Sequence, residues 1–238
     1  DLDAEPAAQT VADIAREGGQ AVACIGSVTE ANFAERFIGT ALENYAGVDI
    51  IVNNAGYTWD NVVQKMSDEQ WEAMLAVHLT APFRILRAAS SFIRDAAKRE
   101  ADEGREVFRK VVNISSTSGV YGNAGQANYA AAKAGIIGLT KAMAKEWGRY
   151  KVTVNSVAFG LIKTRLTEAD ASAGASIDIE GRQIKVGVNP QILKNAEALI
   201  PLGRGGTPQE AAGAVYLFCI PESNYVSGQV LVCGGGRP

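Results

Sequence analysis

A single histidine, His78, occurs in 238 residues. That scarcity excludes a metal centre built on several imidazoles, and any Ser-His or Cys-His nucleophile would have to use this one ring. Cysteine is sparse too: Cys24, Cys219 and Cys233 are far apart, odd in number, and set in or beside apolar segments. Buried free thiols in a reducing compartment, the cytoplasm, are expected, not a disulfide framework or a cysteine metal site. The sequence contains no run of eighteen apolar residues, so no membrane-spanning helix is expected. The opening stretch DLDAEPAAQT is acidic and polar and does not read as a secretory signal. Positive charge is not in excess: 23 Lys and Arg stand against 26 Asp and Glu, a net charge of −3, with both signs mixed. Without a basic stripe, nucleic acid is not an expected partner. Hydrophobic residues at 47% and charged residues at 21% exclude a disordered or fibrous chain and fit one single-core domain spanning 1–238.

What is present is alternation. Strand candidates fall at 21–25, 48–52, 110–114, 152–157 and 230–232, several of them near-continuous apolar runs of the kind buried on both faces. Helical patterns fill the intervals at roughly 4–17, 30–46, 68–98, 127–149 and 208–219. The alternation predicts an α/β fold with three layers, a parallel sheet between helices. Ser67 ahead of Asp68 and Glu69, and Thr207 ahead of Pro208, are helix starts, and Gly18-Gly19 is a helix stop. The charged stretch 94–110 reads as a solvated helix end. The stretch 165–200 lacks clear periodicity and follows a strand, which marks it as a substrate-side segment at the ligand-binding edge of the sheet.

The chemistry concentrates near the middle of the chain. Tyr129 and Lys133 lie four apart, so a helix puts both on one face. An ammonium beside a phenol stabilises the phenolate and lowers its pKa toward the range of a general acid/base. Alone, that spacing is a common solvated pair. Here the three intervening alanines leave room along the helix, and a strand ends upstream in Ser115-Ser116. A Ser116 hydroxyl at a strand's carboxyl end can donate to a substrate carbonyl, or can serve as ordinary turn chemistry.

These residues resemble the short-chain dehydrogenase/reductase family. The resemblance rests on Asn53-Asn54-Ala55-Gly56, Ser116, Tyr129 with Lys133, Val154-Asn155, Gly160 to Thr164, Pro201 to Arg204, Ser227-Gly228-Gln229 and Gly234-Gly235, in that order over the whole chain. The stretch Gly122 to Gly135 is most similar to bacterial 3-oxoacyl-(acyl-carrier-protein) reductases. The resemblance implies a Rossmann-type doubly wound sheet and an NAD(P)-dependent reduction of a ketone to a secondary alcohol. It implies proton transfer by Tyr129, with Lys133 on the ribose hydroxyls of the nicotinamide and Ser116 on the carbonyl. Asn53, Ala55 and Gly56 would floor the cofactor, Ile162 and Thr164 would meet the carboxamide with Gly160 also at the cofactor, and Ser27 and Val28 would meet the adenine. The family assembles through the helix at 127–149, so a homotetramer is expected.

The sequence departs from the family pattern at several places. His78 stands where the family has a fourth catalytic residue, an Asn; it is either a relay for a water-borne proton or structural. Phe159 replaces a proline before Gly160 and would wall the nicotinamide. Ser27 replaces an Asp. The family's opening strand, glycine-rich turn, helix and second strand have no counterpart in the sequence, so the resemblance implies about 35–45 further residues upstream. Asp1 then aligns with the acid that reads the adenosine ribose and repels a 2′-phosphate, so NAD(H) is favoured with NADP(H) left open. The expected substrate is a 3-oxoacyl thioester on acyl carrier protein or coenzyme A, with Lys163, Arg165 and Lys194 as basic entrance residues diluted by Glu168 and Asp170. The alternatives are a dehydrogenase of a hydroxysteroid or polyol, or a non-catalytic interaction protein.

Overall fold

The computed structural model describes residues 1–164, 176–185, 187 and 190–236. Its elements run α1 (Ala4–Arg16), α2 (Phe33–Tyr45), β1 (Ile50–Asn53), α3 (Asp68–Leu75), a π-helical turn (Ala76–Thr80) and α4 (Ala81–Asp102). There follow β2 (Arg109–Ser116), α5 (Thr117–Tyr121), α6 (Ala127–Trp147), β3 (Val152–Phe159), β4 (Ser176–Ile179), β5 (Arg182–Lys185), α7 (Pro190–Ala198), α8 (Pro208–Tyr216) and β6 (Val230–Cys233).

The β-branched runs pair as a parallel sheet in the order β1-β2-β3-β6, with Ile51 opposite Val111, Val112 opposite Asn155 and Val157 opposite Leu231. Successive residues of β2 face opposite sides. Val111 joins Ile38, Ile85, Leu86, Ala89, Ile93 and Trp147 in a core under α2, α4 and α6. Val112 joins Ile114, Val157 and Phe218 in a second core under α8. Burying each of these aliphatic side chains is worth about 1.5–3 kcal/mol, so two cores facing one sheet make the three layers the alternation implied. Both anticipated starts form capping boxes: the Ser67 and Thr207 side chains accept from the Gln70 and Glu210 amides, and those side chains reach back to the cap.

The structure departs from the sequence reading in four places. Residues 21–25 form no strand, because no described strand offers a ladder to pair with; Ile50 and Val52 on β1 stay 47% and 42% exposed. The stretch 94–110 is only half solvated. Arg109 is buried and forked onto Glu100 at 2.6 and 2.8 Å, and Lys110 is buried against Asn224 (2.7 Å) and Ser223 (3.2 Å). The cysteines are free but half-buried. Part of 165–200 is regular: β4 and β5 form an antiparallel hairpin, turned at Glu180 and Gly181 with φ of 55° and 80°, and α7 follows. Residues 165–175, including Arg165, Glu168 and Asp170, lie outside the described residues. Among the described residues no helix is long and apolar enough to cross a membrane.

Candidate active site

The carboxyl end of β2 delivers Ser115 and Ser116, and α6 runs back beside them. The approach is close: a Cβ on Gly119 of α5 would lie 2.6 Å from the Lys133 carbonyl carbon, so only glycine fits. Ser115 Oγ donates to the Lys133 carbonyl oxygen at 2.8 Å and pins α6 to the strand. The start of α6 is fixed by Asn128, which accepts from the Tyr129 amide and donates to the carbonyls of Trp59 and Gln70.

Tyr129 and Lys133 do share a face, with Lys133 Nζ 5.6 Å from the Tyr129 ring centroid. Lys133 is 4% exposed and donates to the Ile114 carbonyl oxygen at 2.8 Å. Burial without a counter-charge lowers its pKa to about 7. Tyr129 moves opposite to the direction the sequence suggested. Burial raises its phenol pKa, a hydrogen bond from Ser116 pulls it down, and the Asp60 carboxylate pushes it up. Ser116 Oγ accepts from the Ser118 amide at 3.1 Å and also reaches the Phe159 carbonyl oxygen at 3.4 Å.

His78 sits in the π-helical turn, 3% exposed, its ring edge-on to Tyr129 with centroids 5.0 Å apart. Nε2 lies 2.7 Å from the Tyr57 carbonyl oxygen. A carbonyl only accepts, so Nε2 carries the proton and Nδ1 is a bare lone pair, buried without a partner. Burial and the Lys133 charge lower the imidazole pKa to about 3, against the Tyr57 hydrogen bond. This direction favours the neutral imidazole at physiological pH. Gly56 packs on this ring: a Cβ there would meet His78 Cε1.

A cavity of about 540 Å³ opens at the carboxyl end of β1, and Ser116, Tyr129 and Lys133 do not line it. It gathers Asp1, Ser27, Val28, Ala55 and Gly56 as the sequence reading proposed, together with Asn54 and Val77. The β4–β5 hairpin roofs it. Arg182 bonds Glu69 at 2.8 Å and lies over Trp59, and Glu180 accepts from the Thr29 hydroxyl at 3.4 Å. Asp1 accepts from the Asp3 amide at 3.1 Å. Asn53 is not on the cavity wall; its amide donates to Asn113 at 2.7 Å and ties β1 to β2. Phe159 is partly buried and packs against the second core. Gly160 closes against Gly234 and edges a smaller cavity of about 160 Å³ with Ser118, Tyr121 and Gly122. The loop bearing Ile162 is pinned by Lys163 and Leu161 to Gly206, and Thr164 continues it. Of the basic entrance residues, Lys163 is paired with Glu197 at 2.8 Å and Lys194 is exposed.

The donors fit a nicotinamide dinucleotide. A buried ammonium carries three donors, and Lys133 has one hydrogen-bond acceptor, which leaves two for vicinal hydroxyls. The hydroxyls of Ser27 and Thr29, the amide of Asn54 and the carboxylate of Asp1 line the cavity at the end of β1. Metal chemistry finds no such set, since among the described residues no three His, Cys, Asp or Glu side chains cluster.

Sequence reasoning missed Asp60, Ser118, Gln126 and Asn128. Each works through a partner in another loop, and no local pattern marks such a pair.

A family model described as enoyl-(acyl carrier protein) reductase matches residues 1–237. The 3-oxoacyl-(acyl-carrier-protein) reductase FabG of Vibrio cholerae is 37% identical over 98% of this chain and 83% of its own length. The hydroxyacyl-CoA dehydrogenase ChsB1 of Mycobacterium tuberculosis is 38% identical over 98% of this chain and 66% of its own. A crystal structure of a candidate gluconate dehydrogenase from Agrobacterium tumefaciens superposes with a TM-score of 0.80 at 30% identity, covering 99% of this chain and 83% of that one.

Proposed function

Because the chain belongs to the short-chain dehydrogenase/reductase family and is an NAD(P)-dependent oxidoreductase, we propose that it reduces 3-oxoacyl thioesters to 3-hydroxyacyl thioesters through Tyr129, Ser116 and Lys133. The observation that carries this reading is the junction of β2 and α6, where Ser116, Tyr129 and the under-partnered Lys133 ammonium converge, with His78 joining Tyr129 to the Gly56-Tyr57 turn that lines the cavity. A reduced nicotinamide, when bound, would supply the hydride for the carbonyl carbon. Ser116 orients and polarises the carbonyl oxygen by donating its hydroxyl proton. Tyr129 gives its phenolic proton to that oxygen as the alcohol forms. Lys133 holds the ribose hydroxyls and, when charged, steadies the phenolate left behind. His78 is a neutral clamp: Nε2–H on the Tyr57 carbonyl fixes the Gly56-Tyr57 turn under the cofactor.

Asp1, Ser27, Val28, Ala55 and Gly56 would hold the adenosine side, with Ile162 and Thr164 at the carboxamide. Asp1 supports a preference for NAD(H). A carboxylate there accepts from ribose hydroxyls and repels a 2′-phosphate, a difference of about tenfold to a hundredfold in affinity. The acyl carrier, acyl carrier protein or coenzyme A, is the finer choice, and the two reductase and dehydrogenase relatives divide on it. A homotetramer is supported by the outer face of α6, where Ala131, Ala134, Gly138 and Ala142 are exposed and small enough for close helix approach.

Steady-state assays with 3-oxoacyl-carrier-protein, 3-oxoacyl-CoA, steroids and polyols, each with NADH and NADPH, test the proposal. The thioesters are expected to carry the highest kcat/KM. A steroid or polyol preferred over both thioesters overturns it.

A further inference from the structure

The loop after β1 runs Gly56-Tyr57-Thr58-Trp59-Asp60 and ends against the loop before α6. Its backbone is fixed there, because the Asn61 amide donates to the Gly125 carbonyl oxygen at 2.9 Å. Asp60 Oδ2 accepts from Gln126 Nε2 at 2.7 Å. A carboxylate only accepts, so it decides which way the Gln126 amide points. The nitrogen faces Asp60 and the oxygen faces inward. That oxygen accepts from Ser118 Oγ at 2.8 Å and from Asn123 Nδ2 at 2.9 Å. Ser118 in turn donates its amide to Ser116 Oγ at 3.1 Å. The Ser118 amide thereby engages a lone pair of Ser116 Oγ, whose own hydroxyl donates to the Phe159 carbonyl oxygen at 3.4 Å, and the two bonds hold the Ser116 oxygen in place at the end of β2.

We propose that Asp60 is a positioning residue for the reduction, acting through Gln126 and Ser118 on the Ser116 hydroxyl and through its charge on Tyr129. The inference rests on the ketoreductase reading above. The charged and titratable groups facing Tyr129 are Lys133 from α6, the neutral His78 from the π-helical turn, and Asp60. Asp60 opposes Lys133, raising the phenol where the ammonium would lower it. Burial does most to keep Tyr129 in the protonated form that ketone reduction consumes, and the Asp60 charge adds to it. Partial burial of the Asp60 carboxyl away from water raises its own pKa against the Gln126 hydrogen bond.

Two variants separate the parts. Asp60→Asn removes the charge, while its amide oxygen can still accept from Gln126. Gln126→Leu keeps the charge and cuts the tether. Ultraviolet titration of each protein, with the same protein carrying Tyr129→Phe subtracted, reads the Tyr129 phenol without any substrate. In Asp60→Asn the phenol is expected to ionise at lower pH. The acid limb of alcohol oxidation moves with it. In Gln126→Leu turnover is expected to fall about tenfold, the scale of a misplaced catalytic group, with cofactor Kd and melting temperature unchanged. An unmoved phenol titration in Asp60→Asn overturns the charge role, and wild-type turnover in Gln126→Leu overturns the tether. Should the wild-type protein reduce no 3-oxoacyl thioester, the functional reading fails on its own, while the phenol titration still decides the role of Asp60.

Discussion

At the residue scale, the site is a set of titratable groups held away from their ordinary ionisation by burial. His78 is the clearest case, since no second imidazole confuses its signal. The unfolded chain protonates near the usual histidine value of about 6.5, whereas the folded ring does so only at about 3. Stability is therefore complete above that upper value and falls as pH drops through the window. Imidazole NMR is expected to show one neutral ring with its proton on Nε2 at about pH 5, and His78→Asn should flatten the acid limb of thermal stability. A ring protonated near pH 6 contradicts this. Lys133 follows the same sign, with a folded pKa of about 7 against an ordinary value of about 10.4. Its stability is complete above the upper value and lost as pH falls toward 7. Lys133→Met should therefore flatten the melting-temperature profile between about pH 7 and 10; an equally steep profile in the variant contradicts it. Ser116, Tyr129 and Lys133 are legible in the sequence because one strand end and one helix turn place them. The direction of the Tyr129 shift is not legible, because it depends on how deeply α6 is buried.

At the element scale, the decisive packing is α5 on α6. Gly119 lies against the Lys133 backbone, which cannot retreat without leaving β2. Gly119→Ala is expected to cost about 1–3 kcal/mol through overpacking and to lower turnover by displacing Lys133; denaturant unfolding and kcat report the two effects. Retained stability together with retained turnover contradicts that close fit. Helix positions follow from apolar periodicity, but the single helix read over 68–98 is interrupted by the π-helical turn at Ala76–Thr80. One inserted residue leaves the 3.6-residue pattern intact on either side, so sequence periodicity cannot reveal it. It places His78 against Gly56. The β4–β5 hairpin does have a local signal, isoleucines alternating with polar residues around Glu180-Gly181, but each arm is four residues long.

At the scale of the whole molecule, strand–helix alternation suffices to predict a parallel sheet covered by helices, because buried parallel strands need covering helices, while the order β1-β2-β3-β6 is visible only in the structure. The segment 21–25 shows the limit of that logic: an apolar run becomes a strand only where a ladder exists to receive it. Light scattering is expected to report a homotetramer at micromolar concentration, and a monomer contradicts the assignment of α6 as an interface. The most direct test of the whole account compares wild type with Tyr129→Phe in the nicotinamide-dependent reduction of a 3-oxoacyl thioester, with cofactor binding measured alongside by fluorescence. The account expects the variant to bind the cofactor normally and to lose at least about a hundredfold in turnover, the usual size of a general-acid contribution. Near-normal turnover in Tyr129→Phe would contradict it.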